Sequence, residues 1–342
     1  MVPAPLRLRR DADALVANWR ALARLSGAAA CGAAIKADGY GLGAAWVAST
    51  LAAAGCRDFF VATWAEAEAL APLGLPGLAV LHGVRAEDMA AARSGIARPV
   101  LNTAAQVARW REAGGGACDV MLDTGMNRLG LSAEDLAAGA LDGLATDTLM
   151  SHLASADDDS PRNADQRRRF VAMAAGVRAE RLSLANSAGI ALGTDYAFDL
   201  TRPGLALYGG VPRRELAGAI VQVARPEAQV LQRRRVRAGE TVGYNATWAA
   251  PADTEVAILN IGYADGYWRG FSGRGRAMCE GVALPVLGRV SMDLIAVDVT
   301  GQAVAEGDWL ELDYDLPRAS AESGMSQYEL LTGLGDRFDR LP

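Results

Sequence analysis

The chain has 342 residues, of which 51% are hydrophobic and 22% charged, and its formal net charge is −6 at pH 7. This composition supplies a large apolar core and excludes a mainly disordered chain. Scattered arginines in a net acidic chain argue against a nucleic-acid partner, and no apolar run reaches the roughly 18 residues of a membrane helix. The start of the chain lacks the apolar core of a signal peptide, so we expect a cytoplasmic protein.

Up to about residue 212, short apolar runs alternate with amphipathic, alanine-rich segments. "DADALVANWRALARL" predicts a first helix with Asp11 as its N-cap. Eight apolar runs follow in order: "AAIK", "FFVAT", "LAVLHG", "RPVLN", "CDVMLDT", "TLMSHL", "RLSLANS" and "TRPGLALYG". The helical patterns between them often end at glycine, as in "AAWVASTLAAAG". This alternation predicts an α/β fold, a (β/α)8 TIM-type barrel over residues 1–212.

An open, doubly wound sheet is the alternative, but "KADGYGLGAA" does not present G-x-G-x-x-G in the expected frame. After residue 212 the helical patterns vanish. Short alternating runs such as "AQVLQRRRV", "EVAILNIGY" and "DWLELDY" appear instead. They predict a β-rich C-terminal domain over residues 213–342.

Chemically useful side chains follow the predicted barrel strands. Active sites of such barrels lie at the C-terminal ends of the strands. Those ends carry Lys36, Asp123 with Arg128, His152, Asn186 with Ser187, and Arg202 with Gly204.

Lys36 is the only lysine in the chain. Arginine replaces lysine where only a positive charge is needed, but it neither loses its proton nor forms a Schiff base. "ANSAG" and "RPG" offer a hydroxyl and unencumbered N–H groups that suit a phosphate. An amine beside a phosphate cradle indicates pyridoxal 5′-phosphate (PLP), an aldehyde that carries a phosphate.

The chain has few of the residues that metal-dependent or cysteine-dependent catalysis requires. The four cysteines are far apart, and the only histidines are His82 and His152. These residues are too few and too scattered to favour a zinc site or a Cys–His hydrolase, and we expect no metal.

Nine segments, in order along nearly the whole chain, resemble the alanine racemase family. They are "AAIKADGYGLGA", "LDTGMNRLG", "SHLASAD", "ANSAG", "TRPGLALYG", "VGYNATW", "IGYADGYWRG", "GRVSMDLIAVDV" and "SQYELLTGLG". The resemblance implies a PLP-dependent isomerase that interconverts L-alanine and D-alanine and supplies D-alanine for peptidoglycan or breaks alanine down. It also implies a homodimer with shared active sites, in which the C-terminal domain contributes to the partner subunit's site.

The resemblance assigns roles to individual positions. Lys36 would bind PLP covalently and act as one acid/base, and Tyr244 would act as the opposite base from the other subunit. The cofactor contacts would be Tyr40, His152, Asn186, Ser187, Arg202, Gly204, Leu205 and Tyr328. The substrate carboxylate would be bound by Arg128 and by the backbone at Met292. The entrance would be lined by Asp157, Tyr263 and Arg289.

The sequence departs from the family at Met121, where many members have a carbamylated lysine that orients the substrate-binding arginine. Because Lys36 is the sole lysine, Arg128 must be positioned otherwise. Our hypothesis is a bound anion such as chloride, or a nearby carboxylate. The ending "GLGDRFDRLP" also departs from the commoner "R-V-P-R", and we attach no function to it.

The sequence leaves three alternative functions open. A racemase of serine or of a broader set of amino acids would differ in pocket size. A non-catalytic PLP-binding protein would lack the C-terminal domain with "GYNATW". A decarboxylase of related architecture would need an acidic partner for the ring nitrogen where Arg202 stands.

Overall fold

The computed structural model describes residues 2–341. The chain folds into two compact units. One is Leu15–Val221, here called the barrel unit, and the other combines Met1–Ala14 with Gln222–Pro342, here called the β unit. The predicted boundary between residues 212 and 213 stays a prediction.

Strands and helices are numbered in chain order. The strands are β1 (Leu6–Arg10), β2 (Ala30–Cys31), β3 (Ala33–Ala34), β4 (Phe59–Val61), β5 (Leu78–Val80), β6 (Arg98–Leu101), β7 (Cys118–Met121), β8 (Thr146–Met150), β9 (Ala179–Ser183), β10 (Leu200–Thr201), β11 (Ala224–Val236), β12 (Thr241–Val242), β13 (Trp248–Ala249), β14 (Thr254–Leu259), β15 (Arg276–Cys279), β16 (Val282–Leu287), β17 (Ile295–Asp298), β18 (Trp309–Leu312) and β19 (Asp339–Leu341). The helices are α1 (Ala12–Leu25), α2 (Lys36–Tyr40), α3 (Ala44–Ala54), α4 (Trp64–Leu70), α5 (Met89–Arg93), α6 (Ala104–Glu112), α7 (Ala133–Ala137), α8 (Pro161–Ala174), α9 (Ser187–Ala191), α10 (Leu316–Ser323) and α11 (Gln327–Thr332).

The barrel unit is built on a parallel sheet in the order β3–β4–β5–β6–β7–β8–β9. The eighth strand, β10, pairs in parallel with β2. Just past it, the Arg202 N–H donates to the Ala185 carbonyl and the Ala34 N–H donates to the Pro203 carbonyl, both at 2.8 Å. These bonds join the eighth strand to the ends of β9 and β3, so the sheet closes. The predicted (β/α)8 barrel is confirmed.

The barrel strands are continuous apolar runs because helices and the barrel interior cover both faces of the sheet. Every residue of β4, β5 and β7 is buried. Asp11 caps the first helix as predicted, since its Oδ1 accepts the Ala14 N–H at 2.8 Å. These local signals place eight strand ends on one rim.

The β unit is an antiparallel sheet wrapped on itself. Strand β11 has 13 residues and pairs with β1, β18 and β14 at different points along its length. The pairings β11–β14–β17–β16–β15–β18–β11 form a closed ring. The expectation that helical stretches vanish after residue 212 was wrong, because α10 and α11 lie in this unit. Each begins at a side-chain N-cap, Asp315 and Ser326 respectively.

Among residues 2–341, no helix combines the length and the apolar character needed to cross a bilayer.

Candidate active site

Lys36 lies two residues after β3, at the C-terminal end of the first barrel strand, and is partly buried. The chain then turns sharply, and the turn is left-handed. Ala37, Asp38 and Gly39 have φ angles of 53°, 50° and 63°. Such a backbone costs about 1–2 kcal/mol for each non-glycine residue. Backbone strain of this kind concentrates at functional sites, where surrounding contacts fix it.

The surroundings of Lys36 favour its neutral amine. Burial lowers the pKa of Lys36, and the positive charge of Arg128 lowers it further. The negative charge of Glu66 acts in the opposite direction. A lysine in this environment can give up its proton more easily than an exposed one, which is the property that nucleophilic and basic lysines need.

Arg202 comes directly after the eighth strand and is buried. Its Nη2 donates to the Ser151 carbonyl at 2.6 Å, and its Nη1 donates to Ser183 Oγ. Burial lowers the pKa of Arg202 to about 10, while the negative charge of Asp119 acts to raise it. The guanidinium therefore stays protonated at neutral pH and donates hydrogen bonds without surrendering its proton.

Hydroxyl and N–H groups converge beside this arginine. Ser187 Oγ accepts the N–H of Gly204 at 3.0 Å and the N–H of Ala206 at 3.1 Å. A Cβ atom at Gly204 would lie only 2.8 Å from Cζ of Tyr40, so only glycine allows the tyrosine hydroxyl to approach here. The Tyr40 ring stacks on Tyr208 with centroids 4.7 Å apart. The hydroxyl groups of Ser187 and Tyr40 and the backbone at Gly204 thus lie close together, and neutral polar groups of this kind can bind a phosphate.

Two further residues assigned to the cofactor flank these groups. Asn186 caps α9, because its side chain accepts the Gly189 N–H at 2.8 Å. Leu205 is fully enclosed in a 3-10 turn that runs to Tyr208, where the sequence pattern had suggested a strand.

His152 follows β8 and is mostly buried. Burial of the ring lowers its pKa to about 3, and the charges of Arg202, Arg128 and Lys36 contribute to this shift. The imidazole is thus neutral at working pH and can accept a proton or a hydrogen bond at one nitrogen. Asp157 lies further along the same loop and is exposed.

Arg128 lies on the loop after β7 and is exposed. Asp123 holds this loop in place, because its Oδ1 accepts the N–H groups of Gly125, Met126 and Asn127 at 2.9–3.1 Å. Met121, which replaces the family's lysine, is buried. Within residues 2–341, no carboxylate forms an ion pair with Arg128.

The β unit carries the remaining predicted residues. Tyr244 begins a 3-10 turn whose next two residues, Asn245 and Ala246, have positive φ angles of 61° and 48°. Its side chain is 66% exposed. Arg289 is also exposed, and it lines a cavity of about 640 Å³ together with Val242, Gly243 and Leu294. Tyr328 is the second residue of α11 and is exposed.

Met292 and Tyr263 lie on two adjoining loops of the β unit. The Tyr263 N–H donates to the Ser291 carbonyl, and the Ala264 N–H donates to the Met292 carbonyl, both at 3.0 Å. Arg337 holds the same two loops, with Nε 2.7 Å from Asp265 and Nη1 2.8 Å from Asp293. The ending to which no function was attached therefore supplies the ion pairs that position these loops.

Sequence reasoning also missed Glu66, although a signal for it was present. "TWAE" from Thr63 to Glu66 has the spacing of a capping box, and the structure contains that box. Arg337 carried no local signal, because its partner Asp293 is 44 residues away in the chain.

The comparisons with known proteins agree with this geometry. The family model "Alanine racemase, N-terminal domain" matches residues 10–212, and "Alanine racemase, C-terminal domain" matches residues 223–342. An alanine racemase from Acidiphilium cryptum is 45% identical over 97% of both chains. A relative from Agrobacterium fabrum named "Alanine racemase, biosynthetic" is 40% identical, over 98% of this chain and 93% of its own.

Solved structures give the same result. An alanine racemase from Bartonella henselae with covalently bound pyridoxal phosphate has a TM-score of 0.91 at 35% identity, over 99% of both chains. One from Acinetobacter baumannii has a TM-score of 0.89 at 29% identity, over 100% of this chain and 99% of its own. With both family domains matched in order and full-length relatives above 40% identity, the chain belongs to the alanine racemase family.

Proposed function

We propose that this protein interconverts L-alanine and D-alanine with PLP as its cofactor, and that Lys36 and Tyr244 exchange the α-proton on opposite faces of the substrate. The observation that carries the proposal is the position of the sole lysine. This lysine lies on the barrel rim, and its pKa is lowered there. The buried Arg202 and the polar groups at Ser187 and Gly204 lie on the same rim.

The donors on the rim fit PLP. Ser187, Tyr40 and the backbone at Gly204 and Leu205 would hold the phosphate, and Tyr328 is a further candidate for this role. Arg202 would donate to the pyridine nitrogen, with Asn186 and His152 near the ring. When bound, PLP withdraws electrons from the substrate Cα and so acidifies the α-proton. An arginine that keeps its proton leaves the ring nitrogen without one, which limits that withdrawal and disfavours side reactions such as transamination.

Two bases explain racemisation better than one. A single base would have to release the proton that it has just removed before another could arrive from the opposite face. Lys36 Nζ and Tyr244 Oη can each hold a proton in one direction and release it in the other. Arg128 and the backbone at Met292 would fix the substrate carboxylate, so that the α-hydrogen points at one base or the other. Asp157, Tyr263 and Arg289 would line the entrance.

We further propose a homodimer with shared active sites. Tyr244 and Met292 are 66% and 54% exposed in the single chain, and Tyr328 is 37% exposed. Catalytic groups work best in a closed site from which water is excluded, and the surface of a partner subunit would cover these exposed groups.

A cytoplasmic location and a role in supplying D-alanine for peptidoglycan complete the proposal. The four cysteines are unpaired, as is usual in a reducing compartment. The relative from Agrobacterium fabrum is named as biosynthetic. Growth of a D-alanine auxotroph carrying this chain would support that role, and continued dependence on added D-alanine would contradict it.

The decisive experiment follows the optical activity of L-alanine, and separately of D-alanine, with purified protein and PLP. Both enantiomers should approach the same racemic mixture. Lys36→Ala should lose at least about 1,000-fold in rate, because nucleophile and base are removed together. Serine measured in parallel bounds the substrate range. Equal rates with wild type and Lys36→Ala would overturn the proposal.

A further inference from the structure

The left-handed turn after Lys36 needs contacts that hold it. Ala37 and Asp38 both adopt φ and ψ near 50°, which L-residues other than glycine rarely do. Asp38 holds the far end of the turn, because its Oδ1 accepts the Ala44 N–H at 2.8 Å. The near end, beside Lys36, is held by a residue from a different helix.

That residue is Glu66, in the first turn of α4. Its Oε1 accepts the Ala37 N–H at 2.6 Å. Its Oε2 accepts the N–H groups of Ala62 and Thr63 at 2.8 and 2.9 Å, which completes the capping box at the start of the helix. An ordinary capping box binds only its own helix terminus. Here the second oxygen of the carboxylate ties the residue after Lys36 to α4.

The charges around Lys36 give this carboxylate a second effect. Arg128 acts on the amine from the β7 loop, and His152 lies near enough on the β8 loop for Lys36 to affect its pKa. Glu66 acts from α4, and Asp38 is the acidic residue of the turn itself. Burial and Arg128 together outweigh Glu66, so the pKa of Lys36 is lowered while Glu66 limits how far it falls. A limit is useful for an amine that must both take and return a proton.

We propose that Glu66 is the positioning residue of Lys36, holding through Ala37 the turn from which the amine projects and placing a negative charge beside it. This deepens the proposed function and rests on Lys36 being the reactive amine. Glu66 does not contact the reacting atoms in this role. It fixes the backbone and the charge environment of the residue that does.

The single lysine makes the test direct. Full-length protein labelled with 13C,15N-lysine and freed of PLP gives the side-chain resonances of one lysine, so the pH titration of its 13Cε signal reports Lys36 alone. Glu66→Gln keeps the size of the side chain but removes its charge. We expect the titration midpoint to fall by roughly half a pH unit or more. Glu66→Asp keeps the charge, so its titration midpoint should lie close to that of the wild type. Its shorter side chain should weaken the hydrogen bond to Ala37.

Two controls separate positioning from ordinary helix capping. Asp135→Asn disrupts a capping box of the same kind on α7, and Glu68→Gln removes an exposed charge from α4 itself. Both should leave the Lys36 midpoint unchanged. An unchanged midpoint in folded Glu66→Gln, or an equal shift in Asp135→Asn, would overturn the inference. Because the readout needs no catalysis, the assay of Lys36→Ala can fail or succeed independently of this result.

Discussion

At the scale of single residues, the barrel rim concentrates positive charge around neutral groups. Burial lowers the pKa of the His152 ring to about 3, and the positive charges of Arg202, Arg128 and Lys36 contribute to the shift. The pKa of a histidine in an unfolded chain is about 6.5. Between these two values the unfolded state binds more protons than the folded state, so the free energy of unfolding must rise with pH in this window.

Replacing His152 should therefore remove part of the acid sensitivity of the fold. At pH 5, the wild type should have lost about 2 kcal/mol of stability relative to pH 7 through this one group. His152→Gln should lack that loss, whereas His82→Gln should keep it. Urea unfolding at both pH values measures the difference. If wild type and His152→Gln lose the same stability on acidification, the ring is not held neutral.

Arg128 supplies a second prediction at this scale. With Met121 in place of a lysine, an anion such as chloride is the proposed partner that orients the guanidinium. The KM for L-alanine should then be about two- to tenfold lower in chloride than in gluconate at equal ionic strength, since a charge-assisted bond pre-orients the arginine. Arg128→Ala should raise KM and abolish the difference. A higher KM in chloride would mean that the anion competes with the substrate carboxylate instead.

At the scale of elements, the two proposed acid/base groups share a local design. Lys36 and Tyr244 each stand immediately before residues in the left-handed region, Ala37–Asp38 in one case and Asn245–Ala246 in the other. Each side chain thus projects from a sharp, strained turn at the end of a regular segment. Strain of this kind fixes direction at a cost in stability.

That cost can be measured at Ala37, whose side chain is exposed. Glycine adopts φ = 53° without strain, so Ala37→Gly should stabilise the protein by up to about 1 kcal/mol. Ala53→Gly, at an exposed position of α3, should instead destabilise it by about 1 kcal/mol. Opposite signs in thermal unfolding would confirm the strain. Destabilisation in both variants would show that the turn is not strained at Ala37.

The barrel also carries a charge network at the start of its strands. Arg98 pairs with Asp119 at 3.3 Å, Asp147 joins Arg98 to Arg181, and Arg181 reaches Asp58 at 2.9 Å. Most of these residues lie towards the opposite ends of the strands from Lys36, on the face of a barrel where polar groups serve stability rather than chemistry. Burial raises the pKa of Asp119 to about 6 and the charge of Arg98 opposes that rise, so the carboxylate is still mostly ionised at pH 7 and can pair with the arginine.

These elements show what the sequence could and could not predict. The eight strands were readable because buried parallel strands are continuous apolar runs, and the rim followed from where those runs end. The turn at Ala37 was not readable, since alanine and aspartate favour other backbone angles and only tertiary contacts hold them here. The bond from Arg337 to Asp293 and the helices α10 and α11 were also missed, for two different reasons. The first depends on distant residues, and the helices are too short for periodicity to reveal.

At the scale of the whole molecule, the proposed shared site has a direct test. Lys36→Ala and Tyr244→Phe should each be nearly inactive alone, with Tyr244→Phe reduced by about 100- to 10,000-fold. Mixed and allowed to exchange subunits, they should regain up to about a quarter of wild-type activity per site, because half of the subunits are then in mixed dimers and each mixed dimer has one intact site. A Lys36→Ala, Tyr244→Phe double variant mixed with either is the control. No recovery after proven exchange would place both bases in one subunit.

The pairing of β1 has a consequence for how the chain is made. Residues Leu6–Arg10 lie between β11 and β19 in the sheet, with Leu6 opposite Ala228 and Arg7 beside Asp339. Strand β1 therefore leaves the ribosome well before its partner strands, the nearer of which begins more than 200 residues later. At 5–20 residues per second that interval is on the order of ten to forty seconds. The barrel unit is complete in sequence before β11 is made, so the β unit can close only after β1 has waited through the synthesis of the whole barrel unit.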